Sequence, residues 1–322
     1  MPDSKPNRIL VAVDGSEHAL AAVRYVGKTL PPERVEIVMY HVITKVPESF
    51  WDLEQEPAFR YKLADIKAWE DIQERLIKEF LVKARQALRE AGIPDEAVCE
   101  KIEERKAGIA RDIIAEAAAG YDAVVVGRRG LSELKDLVLG SIAFKLLERV
   151  CEIPVWIVGG KMQRGKFLVA MDTSDGSMHA VNHVASIVNG SPYFEVTLIH
   201  VVRGLDIFHQ IFEKGIGEAL QRDWIESTEK ELEETRKEIE PLFREARSRL
   251  VSAGIRPERI KEKVVKGRGS RAGTICDEAE QGGYDTIVVG RRGLSRVQEF
   301  FMGRVSNKVI QLAKDKTVWV VS

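Results

Sequence analysis

The sequence is short of several things at once, and each shortage removes a class of protein. Only three cysteines occur in 322 residues, Cys99, Cys151 and Cys276, widely spaced and odd in number. That suits neither a disulfide framework nor a zinc site, and it points to a reducing compartment. No sign of charge dominates: 49 basic against 50 acidic side chains leave a net charge of -1, so no long-range field draws the chain to nucleic acid or acidic lipid. No apolar run approaches the roughly 18 residues of a membrane span, and the start, MPDSKPNRIL, has no stretch suited to a signal peptide. Neither HExxH, nor a Ser-His-Asp order, nor a Cys-His metal spacing is found. The expectation is a soluble cytoplasmic protein with no nucleic-acid or membrane partner. What is present, 44% hydrophobic and 31% charged residues, suits a folded chain, and the length suggests two domains at about 100 to 200 residues each.

The chain repeats itself. RILVAVDGSEH (8–18) is matched by KFLVAMDTSDG (166–176), VEIVMYHVI (35–43) by FEVTLIHVV (194–202), and YDAVVVGRRGLS (121–132) by YDTIVVGRRGLS (284–295). The halves end on PVWIV (154–158) and TVWVV (317–321), and the offset drifts only from 158 to 163. Two copies of one domain, 1–160 and 161–322, therefore fill the chain, joined near GGKMQRGK (159–166).

Within each copy, Val- and Ile-rich runs alternate with helix-period segments, as in βαβ units whose parallel sheet is covered on both faces. The first half reads β 8–13, α 16–30, β 35–42, a long helix within about 55–91, β 98–103, α 109–119, β 122–126, α 135–150 and β 154–158. The second repeats that order, with its long helix around 218–253, where Pro241 should kink or interrupt it. Five strands and four helices per half imply an α/β architecture of two tandem doubly wound open sheets. The long helices carry opposed charges at helical spacing, which reads as a solvated face, with a partner-binding or lid role as the alternative.

In such a sheet ligands bind beyond the carboxyl ends of the strands, where strand order reverses. Gly127 directly follows the strand DAVVV, so GRRG lies at that rim, with a helix from about Lys135. Gly127 and Gly130 permit positive φ and a close approach by a ligand. Gly140 and Ser141 offer a second approach ten residues on, where free N–H groups and a hydroxyl suit phosphate oxygens. Arg128 and Arg129 add positive charge beside them. The opposite wall is the end of the first strand, where Asp14 can accept from ribose hydroxyls or hold a hydrated divalent cation, and where Ser16 suits a helix cap.

These residues match a known pattern. Gly127, Gly130, Gly140 and Ser141 fit G-x2-G-x9-G-[ST], and with this strand context the sequence resembles the universal stress proteins of the ATP-binding type, in tandem over almost its whole length. The resemblance implies Rossmann-like sheets of five parallel strands in the order 3-2-1-4-5. It also implies ATP, AMP or ADP as ligand, with Mg2+ in prospect at Asp14. Ala12, Asp14 and Val42 are then placed around adenine and ribose, and Val126, Gly127, Arg129, Gly130, Gly140, Ser141 and Ile142 along the phosphates. In the second half the counterparts are Ala170, Asp172, Val201, Val289, Gly290, Arg292, Gly293, Gly303, Arg304 and Val305.

Arg304 breaks the pattern. It either fills the phosphate position with its own guanidinium or reaches outward to grip a terminal phosphate bidentately. Ser306 is a candidate for a replacement hydroxyl. In the family the last strand pairs across a dimer interface, so Trp156 and Trp319, in matching last strands, imply an intramolecular pseudo-dimer; a further homodimer and a protein partner stay open. His41 and His200 read as hydrogen-bonded rim histidines, and GRGSRAG (267–273) as a loop in which Ser270 caps the next helix. No residue is assigned a catalytic role. The functional expectation is a stress-response regulator that binds adenine nucleotide. The alternatives are a slow ATPase or phosphotransferase using Asp14, and an interaction scaffold with vestigial pockets.

Overall fold

The computed structural model describes residues 6–45, 57–131, 138–160, 163, 165–188, 191, 193–202, 218–293 and 302–322. By its internal contacts the chain divides into two compact units, Met1–Val150 and Cys151–Ser322.

In the first unit four parallel strands, β1 (Asn7–Ala12), β2 (Val35–Ile43), β3 (Val98–Glu104) and β4 (Ala123–Gly127), lie in the order β3-β2-β1-β4. They alternate with helices α1 (Glu17–Thr29), α2 (Pro57–Glu90), α3 (Ile109–Ala117) and α4 (Ser141–Arg149). Central strands are covered on both faces and so are apolar without alternation: Ile9, Leu10, Val11, Ala123, Val124 and Val125 are fully buried. The edge strand β3, VCEKIEE, buries only Val98, and its outward charges discourage another chain from pairing there.

The second unit contains β5 (Val155–Val158), β6 (Lys166–Ala170), α5 (Asp175–Ile187), β7 (Glu195–Val202), α6 (Glu218–Ser252), β8 (Ile260–Lys266), α7 (Arg271–Gln281), β9 (Thr286–Gly290), α8 (Arg304–Leu312) and β10 (Thr317–Val321). Its parallel strands run β8-β7-β6-β9-β10, which is the 3-2-1-4-5 order of a doubly wound sheet. The last strand of the first repeat, β5, pairs antiparallel with β10, so that Trp156 lies opposite Trp319. The two buried indoles stack with centroids 4.0 Å apart and planes 5° from parallel. His183 of α5 meets both rings edge-on and accepts a hydrogen bond from Trp156 Nε1 at 3.0 Å. Such aromatic contacts add about 1 kcal/mol each beyond the area they bury.

The long helices are pinned in the same way in both units. Arg85 of α2 bonds Glu100 at 2.7 Å, and Arg247 of α6 bonds Glu262 at 2.9 Å. Pro241 does not interrupt α6, which is continuous from Glu218 to Ser252. A proline inside a helix costs about 3 kcal/mol, and here Ile239, Phe243, Ala246 and Leu250 are buried on either side of it, which holds both flanks in place. Among the described residues no helix is long and apolar enough to cross a membrane.

Candidate functional site: a paired glycine clasp

The chain leaves β1 toward β2 and β3 and returns to β4 on the other side of β1, so the order reverses between β1 and β4. The carboxyl ends of those strands, with that of β2, carry the residues singled out above. Ala12, Val42 and Val126 close the strands and are buried. Asp14 follows β1 and is half-buried; its Oδ1 accepts from the Ser16 N–H at 3.0 Å. A Cβ on Gly130 would lie 2.5 Å from Asp14 Oδ2, so the carboxylate occupies the space that this glycine leaves open. Two residues 116 positions apart are thus brought together, as the pairing of strand end and glycine frame required.

The frame closes on itself. Gly140 N–H donates to the Arg128 carbonyl at 2.8 Å, and a Cβ on Gly140 would sit 3.4 Å from that oxygen and from Arg129 Cα. This clasp sets the first turn of α4 against the GRRG turn. Gly140 is the N-cap in an extended conformation (φ -68°, ψ 153°), and it has no side chain to bond the first-turn N–H groups. Ser141 is therefore the first helical residue, exposed, with Ile142 half-buried behind it. The result is a helix N-terminus whose free donors and positive dipole end favour an anion. The helix expected from about Lys135 starts only here. Residues 132–137 lie outside the described residues, and 138–140 are not helical, because the extended Gly140 ends the loop.

Three expectations about individual residues need correcting. Neither Gly127 nor Gly130 has positive φ. The reason for Gly127 lies in packing instead: a Cβ there would be 2.8 Å from the backbone C and O of His18, so glycine is what lets β4 touch α1. Arg128 lends no charge to the rim, being only 2% exposed, and its counterpart Arg291 is 3% exposed. Arg291 Nε bonds Ser322 Oγ at 3.0 Å, and burial lowers its pKa. Charge at the rim comes from half-buried Arg129 and, in the second unit, from exposed Arg292. Finally, Ser306 is no replacement hydroxyl: it is buried and donates to the Gly290 carbonyl at 2.7 Å, behind the cradle.

The second unit rebuilds the clasp with one substitution in the open. Ala170 ends β6 and Val201 is the last but one residue of β7, Val289 is buried, and Gly290 would clash through a Cβ with the backbone of Gly176 at 2.7 Å. Asp172 Oδ2 lies 2.7 Å from the Cβ position of Gly293, and Gly303 N–H donates to the Arg291 carbonyl at 2.8 Å. Arg304 is the first residue of α8, with half-buried Val305 next. Its side chain is exposed and does not fold into the cradle. Asp172 is also more heavily engaged than Asp14, since Oδ1 accepts from both the N–H and the hydroxyl of Ser174. In the first unit the corresponding Ser16 hydroxyl instead caps α1 by accepting from Ala19 N–H at 3.1 Å.

His41 and His200 are rim histidines with a structural bond each. Their Nδ1 atoms lie 2.8 Å from the carbonyls of Val13 and Met171, and burial lowers both pKa values. The contact makes Nδ1 the donor and leaves Nε2 as an acceptor. Ser270 caps α7 as expected, accepting from Gly273 N–H at 3.1 Å. Among the described residues no group of three or more His, Cys, Asp or Glu is arranged to hold a metal ion, so a cation at Asp14 would find no all-protein ligand set there. The sequence reading passed over His183, whose only signal was a polar residue interrupting the apolar face of α5 between Ala180 and Ile187.

The universal stress protein family model matches residues 6–159 and again 163–322. A universal stress protein of Mycolicibacterium smegmatis is 26% identical over 95% of this chain and 94% of its own length. The universal stress protein YxiE of Bacillus subtilis is 28% identical over 46% of this chain and 93% of its own. Among solved structures, a universal stress protein from Archaeoglobus fulgidus covers 99% of each chain at 22% identity with a TM-score of 0.58, a likeness of fold.

Proposed function

The chain belongs to the universal stress protein family as a tandem pair, and from that premise we propose that it is a regulator that binds adenine nucleotide, the repeats 1–160 and 161–322 each serving as one binding domain. The observation that carries the reading is the clasp from Gly140 to Arg128, which holds a helix N-terminus without a side-chain cap over a turn lined by Asp14. Phosphate oxygens accept from the first-turn N–H groups of α4 and from the Ser141 hydroxyl. Ala12, Val42 and Val126 offer apolar and main-chain contact to a purine, and Asp14 Oδ2 faces the ribose or one Mg2+ carried in by the phosphates, an ion that commonly binds through one or two carboxylates and substrate oxygens. Arg129 lies along the phosphates. The second domain takes the same ligand through Ala170, Asp172, Val201, Val289, Gly290, Arg292, Gly293, Gly303 and Val305, with the exposed Arg304 gripping the terminal phosphate. Occupancy then biases conformation or partner choice, in the cytoplasm, during stress.

Isothermal titration of the intact protein with ATP and AMP, with and without magnesium, tests the reading. Ser141→Asp is the informative variant: a carboxylate at the first helical position favours the helix by about 0.5 kcal/mol yet repels a phosphate. We expect an unchanged or slightly raised melting temperature and loss of one of two binding events. Heat of binding that is absent from the wild-type protein, or unaffected by this variant, would remove the first cradle as the site.

A further inference from the structure

Helix α2 presents two different faces. Toward its C-terminus it buries Ile77, Phe80, Leu81, Ala84 and Leu88. Upstream it leaves Trp69 47%, Ile72 45% and Leu76 49% exposed, three large apolar side chains in the open on a helix otherwise dense in charge. Their spacing of three and four puts them on one line, along the flank of the buried face, with Leu76 one turn before buried Phe80. Asp65 and Lys83 lie on the same line at its two ends, about 27 Å apart at 1.5 Å per residue. Among the described residues neither takes part in an ion pair, whereas four of the charges between them pair within the helix, Lys78 with Glu74 at 2.8 Å and Arg75 with Glu79 at 3.7 Å.

The fold does not require this stripe. The bonds from Arg85 to Glu100 and from Arg247 to Glu262 fix the register between α2 and α6. In that register buried Ile77 and Leu88 correspond to buried Ile239 and Leu250. Trp69, Ile72 and Leu76 correspond to Glu231, Glu234 and Glu238. The buried positions are kept, and at 234 and 238 exposed acids stand where α2 has exposed apolar residues, which is what an unpartnered helix face normally carries. The stripe in α2 is thus an addition to a scaffold that folds without it.

We infer that α2 pairs antiparallel with α2 of a second copy of this chain. A stripe that ends in an acid at one end and a base at the other is complementary to its own reverse. A two-fold axis on the stripe side of the helix, level with position 74 along it, sets Ile72 opposite the partner's Leu76, and sets Asp65 against the partner's Lys83 at both ends of the contact. Trp69 then covers the aliphatic part of the partner's Glu79. A lipid surface is a poor alternative occupant, because Asp65 and Glu79 lie on the line of the stripe where a membrane helix would carry bases.

Sedimentation velocity of the intact protein over a concentration series tests the pairing. The expected result is reversible doubling of the sedimenting mass in the micromolar range. A triple variant, Trp69→Glu with Ile72→Glu and Leu76→Glu, copies the outward face of α6. It should keep its far-UV circular dichroism and melting temperature while weakening association at least about tenfold, the scale of losing central apolar anchors. Asp65→Lys should weaken association, and adding Lys83→Asp to it should restore the wild-type constant. A wild-type protein that stays monomeric throughout, a dimer that survives the triple variant, or a double charge swap that fails to restore association overturns the inference.

Discussion

The two repeats use one backbone plan with different side chains exposed on it. The clasp is the same in both, down to a 2.8 Å bond from the third glycine of the frame to the first arginine carbonyl. The glycine ending β4 and the one ending β9 each leave room for the first turn of a helix rather than for a ligand. What differs is Ser141 against Arg304, both exposed, at the first helical position, and buried Ser16 capping its helix where half-buried Ser174 turns back onto Asp172. The features held in common are those that a Cβ or a lost backbone bond would break. Those that differ are side chains that can change without breaking the backbone plan, and so can set affinity and specificity.

The largest effects should therefore fall on both halves alike. Gly127→Val and Gly290→Val drive a branched side chain into helix backbone that a bare Cβ already meets at 2.8 and 2.7 Å. We expect each to cost on the order of 3 kcal/mol, as overpacking and backbone displacement do, read as a lower denaturant midpoint without ligand. If either variant melts like the wild type but fails to bind nucleotide, that glycine serves the ligand and the packing account is wrong.

The next effect should separate the halves by pH. His183 is buried against Trp156 and Trp319, and burial alone pushes its pKa down to about 3; the matching position in α1 is Tyr25, which does not titrate in acid. In the unfolded chain the imidazole takes a proton near 6.5, so between that value and about 3 the unfolded state holds one more proton than the folded state. Stability contributed by neutral His183 is therefore full above pH 6.5 and falls as pH falls, on the order of 1 kcal/mol per pH unit. Urea unfolding at pH 7 and pH 5 should show the second unit losing more than the first, and His183→Asn should flatten that difference. Equal pH slopes in the wild-type protein and the variant would assign the acid sensitivity to other groups.

A smaller effect should come from exchanging the exposed side chains at the two cradles. Ser141→Arg and Arg304→Ser each copy the other half, and we expect each to change nucleotide affinity at its own site by about tenfold, or about 1.4 kcal/mol. Stability should move by less than about 1 kcal/mol, with the arginine unfavourable at the positive helix end. Titration of both single variants and the double exchange reads this directly. If the sites exchange affinities in the double variant, this one side chain sets the difference between the halves.

The fold was legible because burial on both faces of a central strand prints as a continuous run, such as AVVVG, and because the repeat printed it twice. Asp14 and Gly130 were legible as a pair because open sheets place strand ends together. Arg128 was not: next to Arg129 in sequence it looks equally exposed, and only the alternation of a strand end turns one guanidinium inward and leaves the other half-buried. Residues 138–140 read as part of α4 because nothing in Val138 and Leu139 breaks a helix, and the stop signal is a conformation of Gly140 rather than its identity. Pro241 does not interrupt α6 for the opposite reason, since its local penalty is offset by buried neighbours that a propensity argument does not see.

The finest distinction between the halves lies in two serines at matching positions. Ser16 accepts from Ala19 N–H at 3.1 Å and is 8% exposed, so Ser16→Ala leaves a donor in the first turn of α1 without its partner. Such a loss costs about 1 kcal/mol. Ser174 makes no cap bond to α5 and spends its hydroxyl on Asp172, a half-buried carboxylate that keeps the Ser174 N–H when the hydroxyl is removed. Ser174→Ala should therefore cost only a few tenths of a kcal/mol, within the range of ordinary surface changes. It should also release Asp172 Oδ1 to resemble Asp14 more closely, so nucleotide affinity at the second site should shift while stability does not. Chemical denaturation and titration on the same two variants separate a cap from a tuning group. Equal stability losses at Ser16 and Ser174 would show that the two turns are held together in the same way, and that the contrast in their hydrogen bonds has no energetic counterpart.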